Sequence, residues 1–147
     1  MSLLDQLQKD MITAMKAHDK DTLSVVRMLK SAVKTAQIDA GHELSHDEEL
    51  DVLNHEMKQR KESLADFQKA GRQDLVDKTN AEIKVVAKYL PAQMSEDEVK
   101  DVVSSTLKSI NATSMKDFGK AMGAVMGKLK GKADGKLVNK LVKAELQ

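Results

Sequence analysis

The sequence predicts an all-helical protein, and three observations carry that reading. Apolar residues recur at steps of three and four almost throughout, and no segment sustains two-residue alternation. Ser-x-x-Glu pairs stand where two of the apolar stripes begin, as they do at helix N-termini. The only proline, Pro91, biases its predecessor away from helix and divides the chain. Residues 1–91 read as an N-terminal four-helix bundle, and residues 92–147 as a C-terminal three-helix subdomain.

The elements follow in order. Leu3, Leu4, Leu7, Met11 and Met15 form the stripe of a first helix. Asp21 is the expected N-cap of a second, with Leu23, Val26, Leu29, Val33 and Ala36 inward and Gly41 as its stop. Ser45 and Glu48 make a capping box for a long third helix, whose apolar positions are Leu50, Leu53, Met57, Leu64 and Phe67. Gly71 ends it. A fourth helix carries Leu75, Thr79, Ile83, Val86 and Leu90 up to Pro91. Ser95 and Glu98 form a second box before a fifth helix with Val99, Val102, Val103, Leu107 and Ile110. Ser114 is the expected cap of a sixth, lined by Met115, Phe118, Met122, Val125 and Met126. Asp134 caps a seventh, with Leu137, Val138, Leu141, Val142 and Leu146 inside.

Composition narrows the function. With 41% hydrophobic and 32% charged residues, a chain of 147 can bury a core and is not disordered. No apolar run approaches the 18 or so residues needed to cross a bilayer, so no membrane role is expected. The N-terminus carries acids and lacks a signal-peptide pattern, and cysteine is absent, so a cytoplasmic location is expected. The net charge of +1 is unevenly spread. From Thr113 onward eight lysines face three acids, giving +5, while the rest of the chain carries −4. A basic end on an acidic body suits a polyanionic partner.

Five of the seven glycines fall four residues apart, at Gly119, Gly123, Gly127, Gly131 and Gly135. Glycine inside a helix costs roughly 0.5–1 kcal/mol relative to alanine, so a row implies a backbone that something approaches. Gly119, Gly123 and Gly127 are expected to let the sixth helix pack closely on a neighbour, and Gly131 and Gly135 to bracket a turn. Backbone N–H groups of that turn, flanked by Lys128, Lys130, Lys132 and Lys136, would make an anion site.

Catalytic signals are few. His42-Glu43-Leu44-Ser45-His46 matches H-E-x-x-H, but Gly41 precedes it and Ser45 serves as a helix cap, so it reads as a loop without the zinc motif's geometry. No metal and no cofactor are expected. Serines lack a placed histidine, and there is no cysteine nucleophile, phosphate loop or dinucleotide fingerprint. Arg27, Lys30 and Lys34 form a basic face of the second helix, better read as solvated than as a phosphate site. Arg60 falls in the apolar register of the third helix, so it is either paired with a carboxylate or exposed. Met122 and Met126 read as core material beside Phe118.

The stretch Gly119–Leu146, together with Arg27-Met28-Leu29-Lys30-Ser31-Ala32 and Tyr89-Leu90-Pro91, resembles the GatB/YqeY family, most closely its stand-alone YqeY-like proteins of bacteria. The resemblance covers essentially the whole chain. It places the family's small positions at Gly119, Gly123, Gly131, Ala133 and Gly135 and its hydrophobic ones at Val125, Met126 and Val138. A proline that such proteins often carry near Gly127 is missing here, which should lengthen the sixth helix. A related domain forms the tail of the tRNA-dependent amidotransferase B subunit, where it helps recognise the tRNA body while other parts do the chemistry. The resemblance therefore implies a tRNA-associated module that is not an enzyme on its own. Its link to carbon–nitrogen ligases with glutamine as amido donor is one of association. The expected contacts to RNA backbone and shape are Lys128, Lys130, Gly131, Lys132, Gly135, Lys136 and Lys140. The alternative is a protein-interaction module docking on an amidotransferase or aminoacyl-tRNA synthetase within a tRNA-linked complex.

Overall fold

A computed structural model describes all residues, 1–147. It is all-helical: seven α-helices and one short 3-10 turn, with no strand. Contacts group the chain into two compact units, Met1–Leu90 and Pro91–Gln147.

The first unit holds α1 (Leu3–Lys16), α2 (Lys20–Ala40), α3 (His46–Lys69) and α4 (Gln73–Ala87). Short turns make α1 with α2 and α3 with α4 into closely packed pairs. Their shared core is Leu3, Leu7, Val25, Val26, Leu29, Val33, Leu53, Met57, Val85 and Val86. Polar ties hold α1 to its neighbours. The Leu3 amide donates to the Glu49 carboxylate at 2.8 Å, and the Tyr89 hydroxyl donates to Asp10 at 2.6 Å. Leu64, Phe67 and Leu75 are only half-buried, so the far end of the α3–α4 pair contributes less to the core than its periodicity suggested.

Two boundaries in the first unit differ from the sequence expectation. Asp19, not Asp21, caps α2, because its carboxylate accepts the Thr22 amide at 3.1 Å. The Thr22 hydroxyl, first, and then this amide hold the Asp19 carboxyl below its ordinary pKa. Asp21 lies instead in the first turn, where its charge favourably meets the helix dipole. α4 stops at Ala87, and Lys88, Tyr89 and Leu90 continue as a tighter turn, each amide bonding three residues back. Gly41, at φ +75°, ends α2 as expected, and both halves of the Ser45–Glu48 capping box are formed.

The second unit holds α5 (Glu96–Ser109), a 3-10 turn (Met115–Asp117), α6 (Phe118–Leu129) and α7 (Gly135–Leu146). The three helices pack mutually around Val99, Val103, Leu107, Ala121, Val125, Leu129, Val138, Leu141, Val142 and Leu146. Met122 and Met126 are half-buried and pack on that core, as read from their spacing. Ser95 accepts the Glu98 amide at 3.2 Å and caps α5. Ser114 makes no cap bond. The 3-10 turn intervenes before α6, and the Asp117 carboxylate accepts the Thr113 amide at 3.1 Å. α6 runs unbroken through Gly127, where no proline interrupts it.

Candidate nucleic-acid interface

The glycine row does not do what its spacing predicted. Gly119, Gly123 and Gly127 are exposed, and nothing lies within 4 Å of the place where a Cβ would stand on each. The helix packs through Ala121, Val125 and Leu129 instead, so the glycines occupy the opposite side. Close packing by this row is therefore corrected to a bare stretch of solvent-facing backbone.

The turn after α6 is built by its own hydrogen bonds. Lys130 has φ −54° and ψ 124°, Gly131 has φ +78°, and the Lys132 amide donates to the Leu129 carbonyl at 2.8 Å. Those values define a type II β-turn, whose third residue needs φ > 0 and so favours glycine. Gly131 is buried, and its carbonyl accepts from the Gln93 side-chain amide at 2.8 Å. The Lys132 carbonyl accepts the Met94 amide, also at 2.8 Å. Segment 91–95 thus braces the turn from behind.

Asp134 then caps α7 by accepting the Lys136 amide at 3.0 Å. The Lys132 and Lys136 amides are engaged within the turn and its cap, and a carboxylate stands at the head of α7, so these two amides do not face an anion. Positive charge here comes from side chains. Lys128, Lys132, Lys136 and Lys140 are exposed, and none takes part in an ion pair. Lys130 is half-buried, and Gly135 is exposed with open space above it. Lys136 sits in the first turn of α7, where the helix dipole disfavours a cation. In the last turn of α7, the Lys143 ammonium lies 5.7 Å from the centre of the Phe118 ring, a cation–π contact.

Gln93 is the residue that sequence reasoning missed. It carries no motif, and only the proximity of segment 91–95 to the turn reveals its role.

The other sequence candidates do not converge. His42 to Ser45 form a loop and His46 opens α3, so the two histidines do not share one helix face. His42 contacts the Glu43 carbonyl at 2.7 Å and lies 3.6 Å from the Glu48 carboxylate. On α2, Arg27 and Lys34 are exposed, while half-buried Lys30 donates to Gln8. Arg60 resolves to the paired alternative, buried and bonded to the Glu56 carboxylate at 2.8 Å.

Fold and site define a small all-helical protein with a lysine-rich turn at one end of its C-terminal unit. The sequence model of the Yqey-like protein family matches residues 4–146, and the chain belongs to that family. Curated relatives are fungal, where the resemblance had pointed to bacterial proteins. "Altered inheritance of mitochondria protein 41, mitochondrial" of Lachancea thermotolerans is 34% identical over 112 residues, 74% of this chain and 59% of the relative. The protein of that name from Clavispora lusitaniae is 30% identical over 113 residues, 76% of this chain and 66% of the relative. An uncharacterised protein of Schizosaccharomyces pombe is 28% identical over 89 residues, 60% of this chain and 72% of the relative. The chain spans about half to two-thirds of the length of the mitochondrial relatives. Their names overturn the cytoplasmic expectation. Lack of cysteine reports a redox environment and not an address, which is why composition misled.

Proposed function

We propose that this protein is a non-catalytic, tRNA-associated helical module whose C-terminal unit, 92–147, meets the RNA through its backbone and shape. One observation carries the reading: lysines 128, 130, 132, 136 and 140 gather around one braced turn, and four of them are exposed without ion pairs. Lysines left without carboxylate partners repel one another and favour a polyanion. A phosphate near Lys136 would offset that lysine's unfavourable place at the head of α7. Gly135 leaves room for close approach at the same end.

Folded RNA fits better than single strands. The second unit has one aromatic residue, Phe118, and it is half-buried against the core under Lys143, so there is no platform for base stacking. The choice of tRNA rests on the family's kinship with the amidotransferase tail, and the chain's link to amide transfer is then one of association.

Fluorescence polarisation with bulk tRNA at low salt tests the proposal. Binding at micromolar protein, weakened several-fold by Lys130→Glu with Lys132→Glu, is the expected result. No binding at tens of micromolar, or binding that ignores the double reversal, removes it. Partners captured from extracts that survive nuclease would favour the protein-docking alternative.

A further inference from the structure

Arg60 lies on α3 in register with Leu50, Leu53 and Met57, and only 6% of it is exposed. A guanidinium carries five N–H donors and does not lose its proton in a protein. Few acceptors serve it here. Nη1 donates to the Glu56 carboxylate at 2.8 Å and to the Glu56 carbonyl at 3.2 Å. Nη2 meets the Met28 sulfur of α2 at 3.8 Å, and Nε is buried with no partner. A thioether is a weak acceptor. The side of this buried cation that faces α2 is therefore short of oxygen. Half of the Met28 residue is exposed, so its thioether spans from solvent to the guanidinium.

We propose that Met28 is an oxidation site at which sulfoxide formation tightens the α2–α3 contact through Arg60. The oxidant is a peroxide. The thioether sulfur attacks the O–O bond, one oxygen becomes bound to sulfur, and sulfur gives up two electrons. The proton of the transferred OH passes through solvent to the departing hydroxide, which leaves as water. The new oxygen is a strong acceptor beside a full positive charge, and hydrogen bonds to charged groups are the stronger class. Methionine oxidation ordinarily loosens a fold, because it places a polar group among apolar ones. Here the polar group arrives where a buried donor lacks an acceptor. Met1, Met15 and Met115 are also exposed, at 90%, 49% and 41%, but have no such partner, and a sulfoxide at Met1 is told apart from one at Met28 by peptide mapping.

The test uses the full chain carrying Met15→Leu and Met115→Leu, treated with hydrogen peroxide and mapped by peptide mass spectrometry. The fraction oxidised at Met28 should melt higher than the untreated chain, by about 4 °C for a unit of this size. Met28→Gln supplies a fixed amide oxygen at a similar reach and should melt above Met28→Leu. That gap should close when Arg60→Met is added to both. A lower melting temperature for the Met28 sulfoxide would overturn the proposal. So would Met28→Gln melting at or below Met28→Leu, or an unchanged gap without Arg60. If Arg60→Met does not fold, the Gln-against-Leu comparison in the parent chain decides alone.

Discussion

The side-chain amide of Gln93 donates to the carbonyl of Gly131 at 2.8 Å, across 38 residues of sequence. Gln93 also donates to the Pro91 carbonyl at 3.1 Å, so one amide group joins the start of the second unit to its lysine-bearing turn. Gln93→Ala should cost about 1 kcal/mol, the usual net worth of one such bond. Gln93→Glu should cost more, because it sets a carboxylate against two carbonyls. Gly131→Ala forces a left-handed residue and should cost about 1–2 kcal/mol. Thermal melts rank the three, and faster hydrogen exchange at the Lys132 amide in each would localise the loss. Gln93→Glu as stable as the parent would show that the brace contributes nothing.

The exposed row on α6 reverses the natural expectation for a glycine-rich helix. Open space above Gly123 means that Gly123→Ala should stabilise the protein by about 0.5–1 kcal/mol through helix propensity. Gly123→Leu should melt within about 0.5 kcal/mol of the parent, as surface substitutions usually do. If the bare backbone serves approach to RNA, Gly123→Leu should weaken tRNA binding while leaving the melt intact. A leucine variant that unfolds early would restore the packing explanation.

These residues show what the sequence could and could not say. Helix periodicity, the Ser45–Glu48 box and the Gly41 stop were readable because each depends on residues within a few positions of one another. The Asp19/Asp21 choice was not, since two acids two residues apart satisfy the same pattern and only the Thr22 amide decides. Glycine spacing gave the face of α6 but not what lies opposite it, because that depends on where α5 and α7 pack. Lysine positions were legible as charge. The brace from Gln93 was not, because a polar residue in a connecting segment carries no periodic signal.

Tyr89 makes the first unit sensitive to alkaline pH. Burial first, then its bond to Asp10, pushes the phenol pKa above its ordinary value. As pH rises through about 10 the unfolded chain loses this proton while the folded one keeps it, so folding becomes less favourable there. The contribution is complete below that pH and fades above it. Tyr89→Phe should cost about 1 kcal/mol at neutral pH by removing the Asp10 bond. It should also flatten the decline between pH 9 and 11 in denaturant titrations. An equal decline in both proteins would assign the alkaline loss to other groups.

Salt dependence separates the lysines of the turn from those nearby. Each lysine–phosphate contact releases condensed counterions, so the slope of log affinity against log salt counts contacts. Lys132→Gln and Lys136→Gln, both exposed and without ion pairs, should each weaken tRNA binding and flatten that slope by about one. Lys143→Gln is the control. Its ammonium lies over Phe118, outside the group at the turn, so it should change stability slightly and the slope little. Glutamine removes the charge but keeps a polar side chain with the first two methylenes of the stem, so at these exposed positions a fall in slope reports charge. Equal slopes for all three variants would mean that the RNA does not distinguish the turn from the rest of the basic end.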